Sequence, residues 1–152
     1  RRQRQMCIRD SNLDKKKLTV QNNLNENTKV MADEAALKLI LTNFLSNAIK
    51  HSPKKALINL AESSSSKGFI RLSVSDEGKG VPKKYKERVF ERFYRIDKGR
   101  SSETGGTGLG LSISKNLALM MGYSVGVEAN EPKGATFFID IKVDEEKSIQ
   151  AA

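Results

Sequence analysis

The chain has 152 residues, 38% of them hydrophobic and 30% charged: enough apolar side chain for one domain with a core, and too much for wholesale disorder. No apolar run approaches the roughly 18–20 residues a membrane span needs, and no stretch reads as a signal peptide, so the expected location is the cytoplasm. A single cysteine, Cys7, excludes an internal disulfide framework, and Cys7 with the lone His51 cannot make a zinc site of the usual kind. The formal net charge of +9 suits an anionic ligand or partner. Lysines placed as at Lys15–Lys17, Lys54–Lys55 and Lys83–Lys84 are, however, more often a solvated basic surface.

In chain order, Arg1–Ser11 (RRQRQMCIRDS) resembles translated sequencing-adapter read-through, and no functional weight is placed on it. Without it the charge falls to +6 and no cysteine remains. Lys17–Leu24 and Thr28–Met31 read as two short strands around a turn at Asn25–Asn27. Asp33 is an N-cap for a helix from Glu34 to Lys50, ended by Ser52–Pro53. Ala56–Ala61 reads as a strand, Glu62–Gly68 as a hairpin loop, and Phe69–Asp76 as a strand with clear alternation. Glu77–Pro82 is a glycine turn and Lys83–Arg95 a short helix with its exit. Asp97–Gly106 is polar, glycine-bearing and without apolar period, hence flexible. Leu109–Met121 is a helix; Val125–Ala129 and Ala135–Val143 are strands joined at Asn130–Gly134. From Asp144 the tail is charged and frayed. Hairpins mixed with helical crossovers predict an α/β fold, a two-layer α/β sandwich with one mixed sheet and helices on one face.

Three elements carry chemistry. On the first long helix, Leu37, Ile40, Leu41, Phe44 and Ala48 share an apolar face, bordered by Asn43, Asn47 and Lys50 at spacing i, i+4, i+7. Carboxamides and an ammonium beside a core face are costly unless something polar meets them. A carboxamide oxygen can ligate Mg²⁺ and a lysine can meet phosphate. Taken alone, two asparagines bonded to a neighbouring loop explain the stripe better. On Phe69–Asp76, Ile70, Leu72 and Val74 alternate onto one face and Asp76 falls on that same face. A buried carboxylate must find donors or neutralise, and the exocyclic amine of adenine is such a donor. Gly78 and Gly80 would let backbone approach a flat base; the alternative is a carboxylate accepting N–H groups of its own turn. Gly105–Leu111 (GGTGLGL) runs into a helix whose N-terminus suits phosphate, although it is neither a Walker loop nor a Rossmann fingerprint. Between the last two lies Val89–Asp97 (VFERFYRID). There Phe90 and Phe93 either seat a lid or are ordinary core, and Arg95 either reaches phosphate or is a surface cation.

Order and wording decide what the pieces leave open. DEAALKLILTNFLSNAIKHS resembles the N box of sensor histidine kinases, DEGKGVP their G1 box, VFERFYRID their F box and GGTGLGLSISK their G2 box. All four stand in the family's order, and the resemblance covers roughly Lys17 to Val143. It implies the Bergerat ATP-binding fold shared with Hsp90, MutL and the type II topoisomerases, with ATP and Mg²⁺ as cofactors. Carried over position by position, Asn47 ligates Mg²⁺, Asn43 and Lys50 help hold the phosphates, and Asp76 accepts from the adenine amine. Gly78 and Gly80 shape the adenine pocket, Phe90 and Phe93 seat the lid, and Arg95 meets the distal phosphates. Gly106, Gly108 and Gly110 hinge the lid and, with Thr107 and Leu109, line the triphosphate site.

Related ATPases and anti-sigma serine kinases carry a general-base glutamate four residues before the Mg²⁺ asparagine; here that residue is Asn43, which cannot be a base. The resemblance therefore favours transfer to a histidine activated elsewhere, on a dimerising helical hairpin that this sequence lacks. His51 lies within the nucleotide domain and is expected at the pocket rim, not as the acceptor. The expected organisation is a catalytic domain over 12–143 and a tail over 144–152. The expected partners are the kinase's own hairpin, through which it would form a homodimer, and a response regulator. The full-length protein is expected to be anchored in the bacterial membrane, without membrane contact by this fragment. A Bergerat-fold ATPase or serine kinase is the first rival. A non-catalytic nucleotide sensor or nucleic-acid binder is the second; aromatic content of 6% with no stacking platform counts against the last.

Overall fold

The computed structural model describes residues 11–96 and 108–145. Helix α1 (Ser11–Lys16) leads into strand β1 (Thr19–Asn23), and α2 (Glu34–His51) follows. Strands β2 (Leu57–Ser64) and β3 (Phe69–Ser75) form a hairpin. Two single 3-10 turns (Lys83–Tyr85 and Arg88–Phe90), helix α3 (Gly110–Met120), β4 (Ser124–Ala129) and β5 (Ala135–Lys142) complete the chain. The five strands run in the order β1-β2-β3-β5-β4, with β1 parallel to β2 and the other neighbours antiparallel. Helices α2 and α3 pack together against one face, the two-layer α/β sandwich that the pattern of elements predicts.

Alternation explains which face that is. Ile58, Leu60, Leu72, Val74, Val127, Phe137, Ile139 and Ile141 point into the core with Ile40, Leu41, Phe44 and Ala48 of α2. At its centre the Phe44 and Phe137 rings lie 5.7 Å apart, and Phe90 meets Phe137 edge-on at 6.1 Å. The opposite face is polar. There Arg71 bonds Asp140 through Nε at 2.8 Å and Nη2 at 3.0 Å, reaches Glu128 at 2.9 Å, and stacks 3.6 Å above the Phe138 ring. Burial of α2 begins at a well-made cap: the Asp33 carboxylate accepts from the Ala36 N–H at 2.8 Å. Asp33→Ala should cost about 1 kcal/mol in a denaturant titration, the usual worth of such a cap.

Four expectations need correction. Thr28–Met31 is not a strand: Val30 makes a single antiparallel bridge to Val143, and β1 pairs with β2 instead. A four-residue segment has too few ladder bonds to compete with the eight residues of β2. β2 runs on to Ser64, because Ser64 still pairs with Ile70, so the hairpin loop shrinks to 65–68. Lys83–Arg95 forms two 3-10 turns in place of a helix, since its apolar residues serve to drop Val89 and Phe90 into the core. Ser11–Lys16, to which no element was assigned, is helical. Asp144, expected in the frayed tail, still donates its N–H to the Lys29 carbonyl at 2.9 Å. The segment read as flexible, Asp97–Gly106, lies outside the described residues, as does most of 1–11.

Candidate nucleotide site

The C-terminal half of α2, the end of β3 and the start of α3 converge on one mouth of the sandwich. The stripe at the edge of α2's apolar face is real, but its members differ. Asn43 donates through Nδ2 to the Gly110 carbonyl at 3.0 Å and to the Ser114 hydroxyl at 3.1 Å, and that fully buried hydroxyl donates to the same carbonyl at 2.9 Å. Asn43 therefore holds the first turn of α3 against α2. Asn47 and Lys50, one and two turns on, are half-buried. The Lys50 ammonium is held below its ordinary pKa, first by burial and then by the charge of Arg95. Two cations close enough to oppose each other, one on α2 and one beyond the F-box turn, make a place where an anion is welcome.

Asp76 stands at the other end. Its side chain is 2% exposed, on the face that Leu72 and Val74 share, as alternation predicts. Oδ1 accepts from the Gly78 N–H at 2.9 Å and the Ala135 N–H at 3.2 Å. Burial nonetheless pushes its pKa up, against the pull of those two N–H groups and of the nearby His51 charge. His51 itself is exposed, at the rim where α2 ends. Gly78 cannot be larger, because a Cβ there would lie 2.5 Å from the His51 carbonyl oxygen; at Gly80 (φ +77°) it would meet the Gly134 carbonyl at 2.9 Å.

The two F-box phenylalanines part company. Phe90 is buried against Phe137, whereas the Phe93 ring is 65% exposed. Phe93 contributes through its backbone: with φ at 62° its N–H donates to the Gly108 carbonyl at 2.9 Å. Gly108 lies so close that a Cβ there would be 2.9 Å from the Phe93 Cα. This contact ties the VFERFYRID segment to the residues that lead into α3. Leu109 precedes α3 and makes no side-chain cap to the first N–H groups of that helix. Gly110 packs its bare Cα against the Asn43 carboxamide. Gly106 and Thr107 lie outside the described residues.

Residues 32–145 match the family described as histidine kinase-, DNA gyrase B-, and HSP90-like ATPase. The chain belongs to this ATPase family. Sensor histidine kinase WalK of Bacillus subtilis (strain 168) is 38% identical over 119 residues, which are 78% of this chain and 20% of WalK. Sensor-like histidine kinase SenX3 of Mycolicibacterium smegmatis is 41% identical over 113 residues, 74% of this chain and 29% of SenX3. Among solved structures, full-length ShkA in complex with AMPPNP is similar with a TM-score of 0.76 and 31% identity, over 92% of this chain and 29% of that one. The chain thus spans less than a third of the length of these curated relatives.

Within this ATPase-family site, several supports escaped the sequence reading. Asn130 donates through Nδ2 to the Asp76 carbonyl at 2.7 Å, and Gly134 packs directly on that same peptide. Both sit in what reads only as a turn before the last strand; an asparagine and a glycine framing a five-residue turn are ubiquitous and carry no mark of their distant neighbour. Ser114, likewise, looks like one polar residue of a helix, and only its burial shows it to be the bridge between Asn43 and Gly110.

Proposed function

We propose that this chain is the ATP-binding catalytic domain of a two-component sensor histidine kinase, extending over 12–143, and that the whole protein transfers the ATP γ-phosphoryl group to a histidine on its own dimerisation hairpin. The observation that carries this reading is one mouth with a buried carboxylate at one end, Asp76, and opposed cations, Lys50 and Arg95, at the other. Adenine would meet Asp76 and the triphosphate would meet the cations and the start of α3. With Oδ1 taken up by two backbone N–H groups, the second carboxylate oxygen is the acceptor for an exocyclic amine. Gly78 and Gly80 keep the adenine end thin; Gly108, Leu109 and Gly110 present backbone to the phosphates, with Gly106 and Thr107 leading into them.

Asn47 would supply Mg²⁺ with a carboxamide oxygen. Among the described residues no group of three or more His, Cys, Asp or Glu side chains is placed to hold a metal. A hard ion with one protein oxygen therefore fits only as a nucleotide complex whose phosphates fill the other positions. Bound there, Mg²⁺ would neutralise phosphate charge. The chain's own residues bind the base, orient the triphosphate and place positive charge where negative charge develops. Asn43, at the position where the rival ATPases and serine kinases hold a general-base glutamate, spends its amide on Gly110 and Ser114 and is no base for a nucleophile.

The partners proposed are that hairpin, through which the kinase would dimerise, and a response regulator, with the domain on the cytoplasmic side of a membrane-anchored protein and no nucleic acid involved. The test supplies a histidine-bearing hairpin in trans with γ-labelled ATP. Acid-labile label on the hairpin is the expected result. Steady phosphate release by the domain alone, with an unlabelled hairpin, would favour the ATPase reading.

A further inference from the structure

Lys16, the last residue of α1, reaches across to the end of α2. Its Nζ donates to the carbonyls of Ile49 at 3.0 Å, Lys50 at 2.9 Å and Ser52 at 3.0 Å. An ammonium has three N–H donors, and here all three are spent on backbone oxygens of one turn. Carbonyls in the last turn of a helix lack intrahelical partners and carry the negative end of its dipole, so a cation is well placed there. Ser52 covers Ala48, donating its N–H at 3.0 Å and its hydroxyl at 2.6 Å. The backbone around Lys16 is itself pinned: its carbonyl accepts from the Lys55 N–H at 2.8 Å, and Thr19 donates to the Ala56 carbonyl at 3.0 Å.

The turn so held touches both halves of the mouth. Lys50 belongs to its phosphate end, and the His51 carbonyl is the atom that leaves no room for a side chain at Gly78. We infer that Lys16 is a positioning residue: through the carbonyls of Ile49, Lys50 and Ser52 it sets where Lys50 stands, and so couples the segment entering the domain at α1 to affinity for the phosphate part of the nucleotide. This rests on the ATP-domain reading. A lysine that merely capped the helix would alter stability and leave the relative affinity for phosphorylated and unphosphorylated ligands unchanged.

The experiment compares wild type, Lys16→Met, Lys16→Arg and Arg71→Met, the last breaking an ion pair on the far face of the sheet. Calorimetry gives affinity for Mg-ADP and for adenosine; amide hydrogen exchange follows residues 48–53 without ligand. Lys16→Met should weaken Mg-ADP about tenfold, the worth of a bond made by a charged group, and adenosine less than about twofold. It should also speed exchange at 48–53, while Lys16→Arg restores most of both and Arg71→Met changes neither. An unchanged ratio of ADP to adenosine affinity in Lys16→Met, or equal loss for both ligands, would overturn the inference. Should wild type bind neither ligand, the ATP-domain reading falls, and unaltered exchange at 48–53 in Lys16→Met would still overturn the clamp.

Discussion

Asp76→Asn should lower the affinity for Mg-ADP about 100-fold while leaving the ligand-free protein as stable as wild type or more so. The two halves of that result have different causes. Asparagine keeps an oxygen for the Gly78 and Ala135 N–H groups that Oδ1 now serves. It replaces the second carboxylate oxygen by an NH₂ group, so an incoming adenine amine would meet a donor where it needs an acceptor. Losing a hydrogen bond to a buried charged group and leaving the ligand's polar atom unmet is worth about 2–3 kcal/mol, which is a factor of about 30–150 in binding.

Stability moves the other way because burial raises the Asp76 pKa. A carboxyl whose folded-state pKa lies above its unfolded value binds its proton more tightly in the folded chain. Its favourable contribution is complete below the unfolded pKa, about 3.9, and is lost as pH rises through the folded value. Neutral asparagine has no such loss. The stability difference between Asp76→Asn and wild type should therefore be smallest in acid, widen as pH climbs past the ordinary aspartate range, and level off above the folded-state pKa. Calorimetric titration with Mg-ADP and thermal melts across that range check both halves. Binding within threefold of wild type would remove Asp76 from the adenine contact, and a fall in ligand-free stability at neutral pH would show that the carboxylate works for the fold.

This division between fold and site also explains what the sequence could disclose. α2 is legible because every rule that makes it is local: a carboxylate three residues before the N–H it caps, an apolar face at helical spacing, and a serine-proline stop. β3 is legible for the same reason, and its alternation alone places Asp76 inward among Leu72 and Val74. The pairing of β1 is not legible, because Thr19–Asn23 and Thr28–Met31 are equally strand-like and the choice is made by β2, more than thirty residues later. Motif resemblance locates Phe90 and Phe93 together, yet only Phe90 has Phe137 to pack on; the difference is made by β5, far along the chain. Asn43 shows a subtler limit. Position and polarity mark it as part of the site, but its bonds to Gly110 and Ser114 show that it also holds two helices together. That contact is the structural alternative, an asparagine bonded to a neighbouring element; holding phosphate, which the resemblance implies for Asn43, is a separate role and is proposed beside it.

The largest effect on folding is expected from Gly134→Ala. Gly134 adopts φ +108°, outside the region open to residues with a Cβ. An added Cβ would lie 2.7 Å from the Asp76 carbonyl carbon and 3.0 Å from the Glu77 Cα, and nearer still to the Asp76 oxygen. Every one of these is a backbone atom, so no flexible side chain can swing aside. The peptide that would have to move already accepts from the Asn130 amide, and the Asp76 N–H donates to the Ala135 carbonyl at 2.9 Å, next door to the intruding methyl. Backbone strain and overpacking each cost about 1–3 kcal/mol, so together about 3–5 kcal/mol is expected, a fall of roughly 10–20 °C in Tm for a domain of this size. Gly122→Ala separates the two terms. Gly122 also has a positive φ, +81°, but nothing lies within 4 Å of its added Cβ, so only strain of about 1 kcal/mol should appear. Thermal melts of both variants decide the matter. Equal, mild losses would mean that Gly134 does not press on Asp76. A large loss at Gly134 alone would make this glycine the reason why β3 can end with its carboxylate aimed inward while β5 begins immediately beside it.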